Sequence, residues 1–168
     1  MSPRSLLAPL VLVVVALGGC SAEVHIGGYD ASKVAGQIKA AQEKTAPDME
    51  VSRASCPKDP GKLEKGLTFE CSVTIEGVQA PYTVKVTSVK DDTAHFHFEP
   101  AKAIISVDKA QQFLAQQVDS SVRVTCPKGP VLVQEPGSTF ACTLSKGAAT
   151  QQVKILVKDT DGNISVQN

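Results

Sequence analysis

The sequence predicts an α+β protein made of two tandem small domains, each an N-terminal helix packed on a four-stranded antiparallel sheet with one disulfide. Three observations lead there. The chain contains itself twice, each copy passes from a helical to an alternating hydrophobic period, and each copy holds two cysteines at matching places. "SCPKDPGKLEKGLTFECSV" (55–73) aligns with "TCPKGPVLVQEPGSTFACTL" (125–144), given one extra residue. Both keep Cys-Pro-Lys, a turn-rich loop, a glycine and Thr-Phe-x-Cys. Downstream, "TVKVTSVKD" (83–91) resembles "QVKILVKD" (152–159).

The first 19 residues stand outside this repeat. Met1-Ser2-Pro3-Arg4 carries one positive charge and no acid, and Leu6 to Leu17 is an apolar run of 12 residues broken only by Pro9. A membrane-spanning helix needs ~20 apolar residues, so the run fits a signal-peptide core instead. It ends Leu17-Gly18-Gly19-Cys20, which resembles the lipobox of bacterial lipoproteins. That resemblance implies that the Cys20 sulfur receives a diacylglycerol and that cleavage makes Cys20 the first residue. Acyl chains contribute ~0.8 kcal/mol per buried methylene, so two or three hold a protein durably on a bilayer. Residues 1–19 are thus expected as a lipoprotein signal peptide and 20–29 as a tether, with His25 exposed to solvent.

Each repeat then opens with a helix. In the first (30–100), Asp30 or Ser32 caps a segment presenting Val34, Ile38 and Ala41 on one face. Alternating strands follow at Val51 to Ala54, Thr68 to Ile75, Tyr82 to Val89 and His95 to Phe98, with Gly77 at a hairpin turn. In the second (101–168), Asp108 and Gln111 have the spacing of a capping box ahead of Phe113, Leu114 and Val118. Strands are expected at Val122 to Thr125, Thr139 to Leu144, Val153 to Val157 and Ile164 to Val166, with a turn at Gly147. The joint between repeats falls near Pro100 to Val107.

The tandem Cys-Pro … Gly-x-x-Phe-x-Cys … Gly … Val-x-Val pattern behind a lipobox resembles actinobacterial lipoproteins carrying domain-of-unknown-function family 4333. The resemblance covers nearly the whole mature chain, twice. It implies a cell-envelope lipoprotein and carries no assigned activity.

Four cysteines besides Cys20 allow three pairings. The repeat favours Cys56 with Cys71 and Cys126 with Cys142, because each copy then closes itself in the same way. Export places the chain where disulfides persist. Structural zinc would want short Cys-x-x-Cys pairs, and a redox dithiol wants the same spacing; neither occurs.

Composition narrows the function further. Removing residues 1–19 from the 168 leaves 149, with 16 basic residues once Arg4 is gone and 17 acidic ones. No basic stripe marks a nucleic-acid surface, and the absence of Trp argues against a stacking platform for bases or sugars. His95 and His97 share a strand face, a spacing that could hold zinc or copper. The matching positions of the second repeat are Asn163 and Ser165, and no third ligand is evident, so a solvated strand face is expected. Asp159-Thr160-Asp161-Gly162-Asn163 faintly resembles a calcium loop but lacks the distal glutamate, which makes it a hairpin turn. Asp48, Glu50, Glu70 and Glu76 have no partner that the sequence can show, and His-Glu-x-x-His, P-loop and Gly-x-Ser-x-Gly signatures are missing.

The expectation is therefore no enzyme, no cofactor and no metal. The protein is expected outside the cytoplasm, on the cell membrane through the lipid on Cys20, binding an envelope protein or wall component on its sheet faces, in the manner of an inhibitor. The alternative is a carrier of a lipid or other small hydrophobic ligand between helix and sheet, and a structural spacer is a third reading.

The anchor rests on one sulfur. Labelling cells with a palmitate analogue is expected to mark the wild-type chain and not Cys20→Ala; equal labelling of both refutes the lipobox.

Overall fold

The computed structural model describes residues 24–27, 29–91 and 93–167. It is mostly antiparallel β-structure with two helices and two disulfides. The signal segment and Cys20 lie outside the described residues.

The chain enters as strand β1 (Val24–Gly27) and continues into helix α1 (Ala31–Thr45). Of the two capping candidates, Asp30 is the cap: one carboxylate oxygen accepts from the backbone N–H groups of Ser32 (2.9 Å) and Lys33 (3.1 Å). Val34, Ile38 and Gln42 form the buried stripe at helical spacing. The helix stops at Ala46, because Pro47 disfavours helical geometry in the residue before it. Strands β2 (Val51–Ser55), β3 (Thr68–Ile75), β4 (Val78–Lys90) and β5 (Thr93–Pro100) then run as a meander. Glu76 (φ 50°) and Gly77 (φ 77°) turn β3 into β4, the two positive values that a tight hairpin needs to match strand twist.

The first sheet has five strands, in the order β1-β5-β4-β3-β2. Four were expected. The extra one is β1, which lies within the stretch expected as a free tether and pairs antiparallel with β5. One face of this sheet packs on α1: Val73, Ile75, Val84, Val86, Phe96 and Phe98 are all fully buried with Val34 and Ile38.

Strand β6 (Ala103–Ser106) runs directly into helix α2 (Val107–Ala115). The cap is Ser106, whose hydroxyl accepts from Lys109 N–H, and not Asp108. Asp108 sits in the first turn and accepts instead from the Gln111 side chain at 3.4 Å. The helix also ends before Val118, so its buried stripe is Val107, Ala110 and Leu114. There follow β7 (Arg123–Thr125), β8 (Val131–Gln134), β9 (Thr139–Lys146), β10 (Ala149–Val157) and β11 (Ile164–Gln167). The second sheet is β11-β10-β9-β7.

β6 and β8 were not expected as strands; they were assigned to the joint and to a loop. They pair with each other as a separate two-stranded ribbon, Ile104 opposite Val133 and Ile105 opposite Leu132. Alternation gives the ribbon two apolar faces. Ile104, Val131 and Val133 pack into the first core, while Ala103, Ile105 and Leu132 pack into the second. Gly162 closes over the ribbon; a Cβ there would stand 3.0 Å from the Ile104 carbonyl oxygen, and its φ of 80° already favours glycine.

A residue of the second repeat thus completes the core of the first. Val131→Ala removes two buried methyl groups and is expected to cost about 2 kcal/mol. Amide exchange should quicken in β4 of the first repeat as well as in β8. Exchange confined to β8 would separate the two cores.

Candidate interaction surface

Alternation along β3, β4 and β5 divides the first sheet into a core face and an open face. Cross-strand register orders the open face into rows. Thr83 stands between Glu70 and Glu99, and Lys85 stands between Thr68 and His97. Ser72 lies between Ser55 and Pro81, with the two serine hydroxyls 2.9 Å apart. His97 Nε2 is 3.7 Å from the Glu99 carboxylate. The matching face of the second sheet carries cations and no carboxylate: Lys154 stands between Ala141 and Gln167, and Arg123 is opposite Ser145, beside rows such as Thr125–Thr143–Gln152 and Thr139–Leu156–Ser165. The open face that combines carboxylates with a cation therefore belongs to the first repeat.

A bulge sits within it. The β4–β5 register shifts between Val86 and Ser88, and Thr87 Oγ1 donates to the His95 carbonyl at 3.2 Å. Such a bulge adds local twist and re-aims neighbouring side chains.

Both disulfides lie one step beyond the end of a ladder. Ser55 pairs with Ser72, which sets Cys56 beside Cys71; Thr125 pairs with Thr143, which sets Cys126 beside Cys142. Cys71 and Cys142 are core residues at 2% and 1% exposure. The Cys126 N–H also donates to Gln111 Oε1 at 3.4 Å, tying α2 to this end of the sheet.

Most of the other carboxylates singled out in the sequence have structural partners. Asp159 accepts from the Asn163 backbone (3.1 Å) and side chain (2.8 Å), so its two oxygens close a turn. Asp48 pairs with Lys109 at 3.8 Å, and Glu76 accepts from Glu50 N–H at 2.7 Å. Glu70 stays on the exposed strand face.

Two polar groups were not singled out in the sequence. Gln42, on the buried stripe of α1, accepts from the Tyr82 hydroxyl; a glutamine at a helical apolar position is the signal that could have found it. The Tyr29 hydroxyl donates to the Pro57 carbonyl, and its ring meets Phe69 edge-on at 5.5 Å. Burial, and then the neighbouring Asp30 charge, push the Tyr29 phenol above its ordinary value. The sign follows: this group's stabilisation is present through neutral pH and is lost only as pH rises past ~10.

Replacing Cys56 and Cys71 together with Ala opens a loop with a sequence separation of 15 and is expected to cost ~3 kcal/mol in chemical denaturation. Peptide mapping without reductant should yield 56–71 and 126–142 linkages; any cross-linkage between repeats contradicts this arrangement.

No curated protein and no solved structure matches the chain. The family model for a domain of unknown function, DUF4333, matches it twice, at residues 15–92 and 104–162. The two matches follow the two repeats and together take in most of the sequence. The chain is a member of the DUF4333 family, with two copies of its domain in tandem.

Proposed function

We propose that this chain is a lipid-anchored protein of the cell envelope, without catalytic activity, that binds an envelope protein or wall component through the open face of its first sheet. The rows around Thr83 and Lys85 carry this reading, since they set Glu70, Glu99, Lys85 and His97 on one open face, where the other repeat has the cations Arg123 and Lys154 and no carboxylate. Polar, partly exposed faces of this kind suit recognition with little apolar burial.

In the same proposal each family copy is one α+β unit, a helix followed by a four-stranded antiparallel meander. The orders β5-β4-β3-β2 and β11-β10-β9-β7 support it. Anchoring is supported by the Leu17-Gly18-Gly19-Cys20 pattern, which falls within the first family match. Among the described residues no helix is long and apolar enough to cross a membrane. An acylated Cys20 would hold the first repeat close to the bilayer, because the four steps to Val24 reach at most about 14 Å. Surface binding is favoured over carriage by the filling between helix and sheet, where Val34, Ile38, Val84, Phe96 and Phe98 are all 0% exposed.

A photo-crosslinking residue in place of Lys85 tests the face in intact envelopes. A discrete adduct at Lys85, absent when the probe replaces Lys44 on α1, is expected. Identical products from both positions, or none from Lys85, refute the proposed face.

A further inference from the structure

The four strands of the second sheet, β7, β9, β10 and β11, contain three cations and no carboxylate. Lys146, at the hairpin end of β9, is held by Asp119 at 3.8 Å. Arg123 and Lys154 stand exposed on the open face, and among the described residues neither has an ion-pair partner. Other carboxylates of this repeat are engaged elsewhere, Glu135 with Lys102 at 2.9 Å and Asp159 in its own turn with Asn163.

Register fixes where the two cations lie. Arg123 on β7 is opposite Ser145, and Lys154 on β10 is opposite Ala141, both on β9. Ser145 and Ala141 are four positions apart, about 14 Å along a strand, and β7 and β10 flank β9, about 10 Å from each other. The cationic positions thus mark the ends of a diagonal about 17 Å long across the sheet. Thr143 lies midway along it, and the row Thr125–Thr143–Gln152 crosses it there. These three side chains offer hydroxyl and amide groups that donate and accept, and among the described residues none has a hydrogen-bond partner.

We infer that the open face of the second sheet binds a linear anionic glycan in which acidic sugars are separated by neutral ones. Charge complementarity sets the sign of the ligand, since two unpaired cations on a face without a carboxylate attract an anion. Their separation sets the pattern. A polymer charged at every unit would lay charges over the uncharged middle row, whereas spaced acids leave neutral sugar hydroxyls there. Arg123 grips one carboxylate with its planar fork, and Lys154 meets another as a point charge. Recognition rests on hydrogen bonds and charge and needs no aromatic stack, in keeping with a chain that has no Trp. The open face of the first sheet is unsuited to such a ligand, because Glu70 and Glu99 flank Thr83 on it. The glycan face lies on the other repeat from the face proposed above and stands or falls apart from it.

The test titrates the mature chain in detergent with a hyaluronate hexasaccharide, in which glucuronate alternates with a neutral amino sugar. Saturable binding is expected, weakening as salt rises because exposed charges are screened. Arg123→Gln and Lys154→Gln should each lower affinity about two- to fivefold, the worth of one exposed ion pair, and the double variant by more than either. Thr143→Val keeps the β-branched shape, removes the hydroxyl and should also weaken binding. Lys85→Gln, on the first sheet, should leave it unchanged, and circular dichroism controls for folding throughout. A neutral chitin hexasaccharide should not bind, and a glycerol phosphate oligomer of matched length should bind more weakly than hyaluronate. Four results overturn the inference: no saturable binding of hyaluronate, equal binding of either comparison oligomer, unchanged affinity in the double variant, or an equal loss in Lys85→Gln.

Discussion

Two apolar cores in this chain share one β-ribbon, and that sharing governs the rest of the architecture. β6 and β8 are four residues each, too short to stand alone in water. They persist because strand alternation turns Ile104 and Val133 to one core and Ile105 and Leu132 to the other. Neither repeat on its own could bury both faces of the ribbon. The same ribbon positions α2, since Ser106 is both the last residue of β6 and the helix cap, and the Val107 N–H bonds to the Pro130 carbonyl beside β8 (3.0 Å). The two copies of the domain thus form a coupled pair.

The disulfides act where the first strand of each repeat gives way to a long loop. Small cores are marginal, and a staple at this point holds the loop of residues 57–67 against the sheet. Leu63 and Leu67 pack on the first core from that loop, and Tyr29 pins it through Pro57. In the second repeat the corresponding loop becomes β8 and leaves for the ribbon. One motif, Cys-Pro-Lys followed by Thr-Phe-x-Cys, thereby supports two different loop paths.

This difference between the copies explains the asymmetry of their surfaces. In the first repeat the strand before the helix joins the sheet and widens it beside β5. In the second the strand before the helix is taken by β8, so β11 remains an edge. Ile164 and Val166 are accordingly half-buried, where Phe96 and Phe98 at the equivalent places are fully buried. The carboxylates of the sheets, the histidines and an added strand all gather on the first copy.

Much of this was legible in the residues. The alignment of 55–73 with 125–144 gave the repeat, period-two alternation placed Thr68–Ile75 at the bounds the structure has, and Gly77 and Gly147 marked their turns. These features are local: a strand's face, a turn's φ and a helix's stripe depend on residues a few positions apart. Which partner a short strand takes is decided otherwise. Val24–Gly27, Ala103–Ser106 and Val131–Gln134 are four residues each, with too little periodicity to announce themselves, and each pairs with residues about 30 to 70 positions away. The choice of Ser106 over Asp108 as cap follows from where β6 ends, and so from its pairing with β8. The sequence by itself determined the repeat, the meanders and the apolar stripes, because these are written in neighbouring residues. Only the tertiary structure decided the register that sets His25 against His95 and the ribbon that joins the cores, because pairing over long separations is fixed by which apolar surfaces can be buried together.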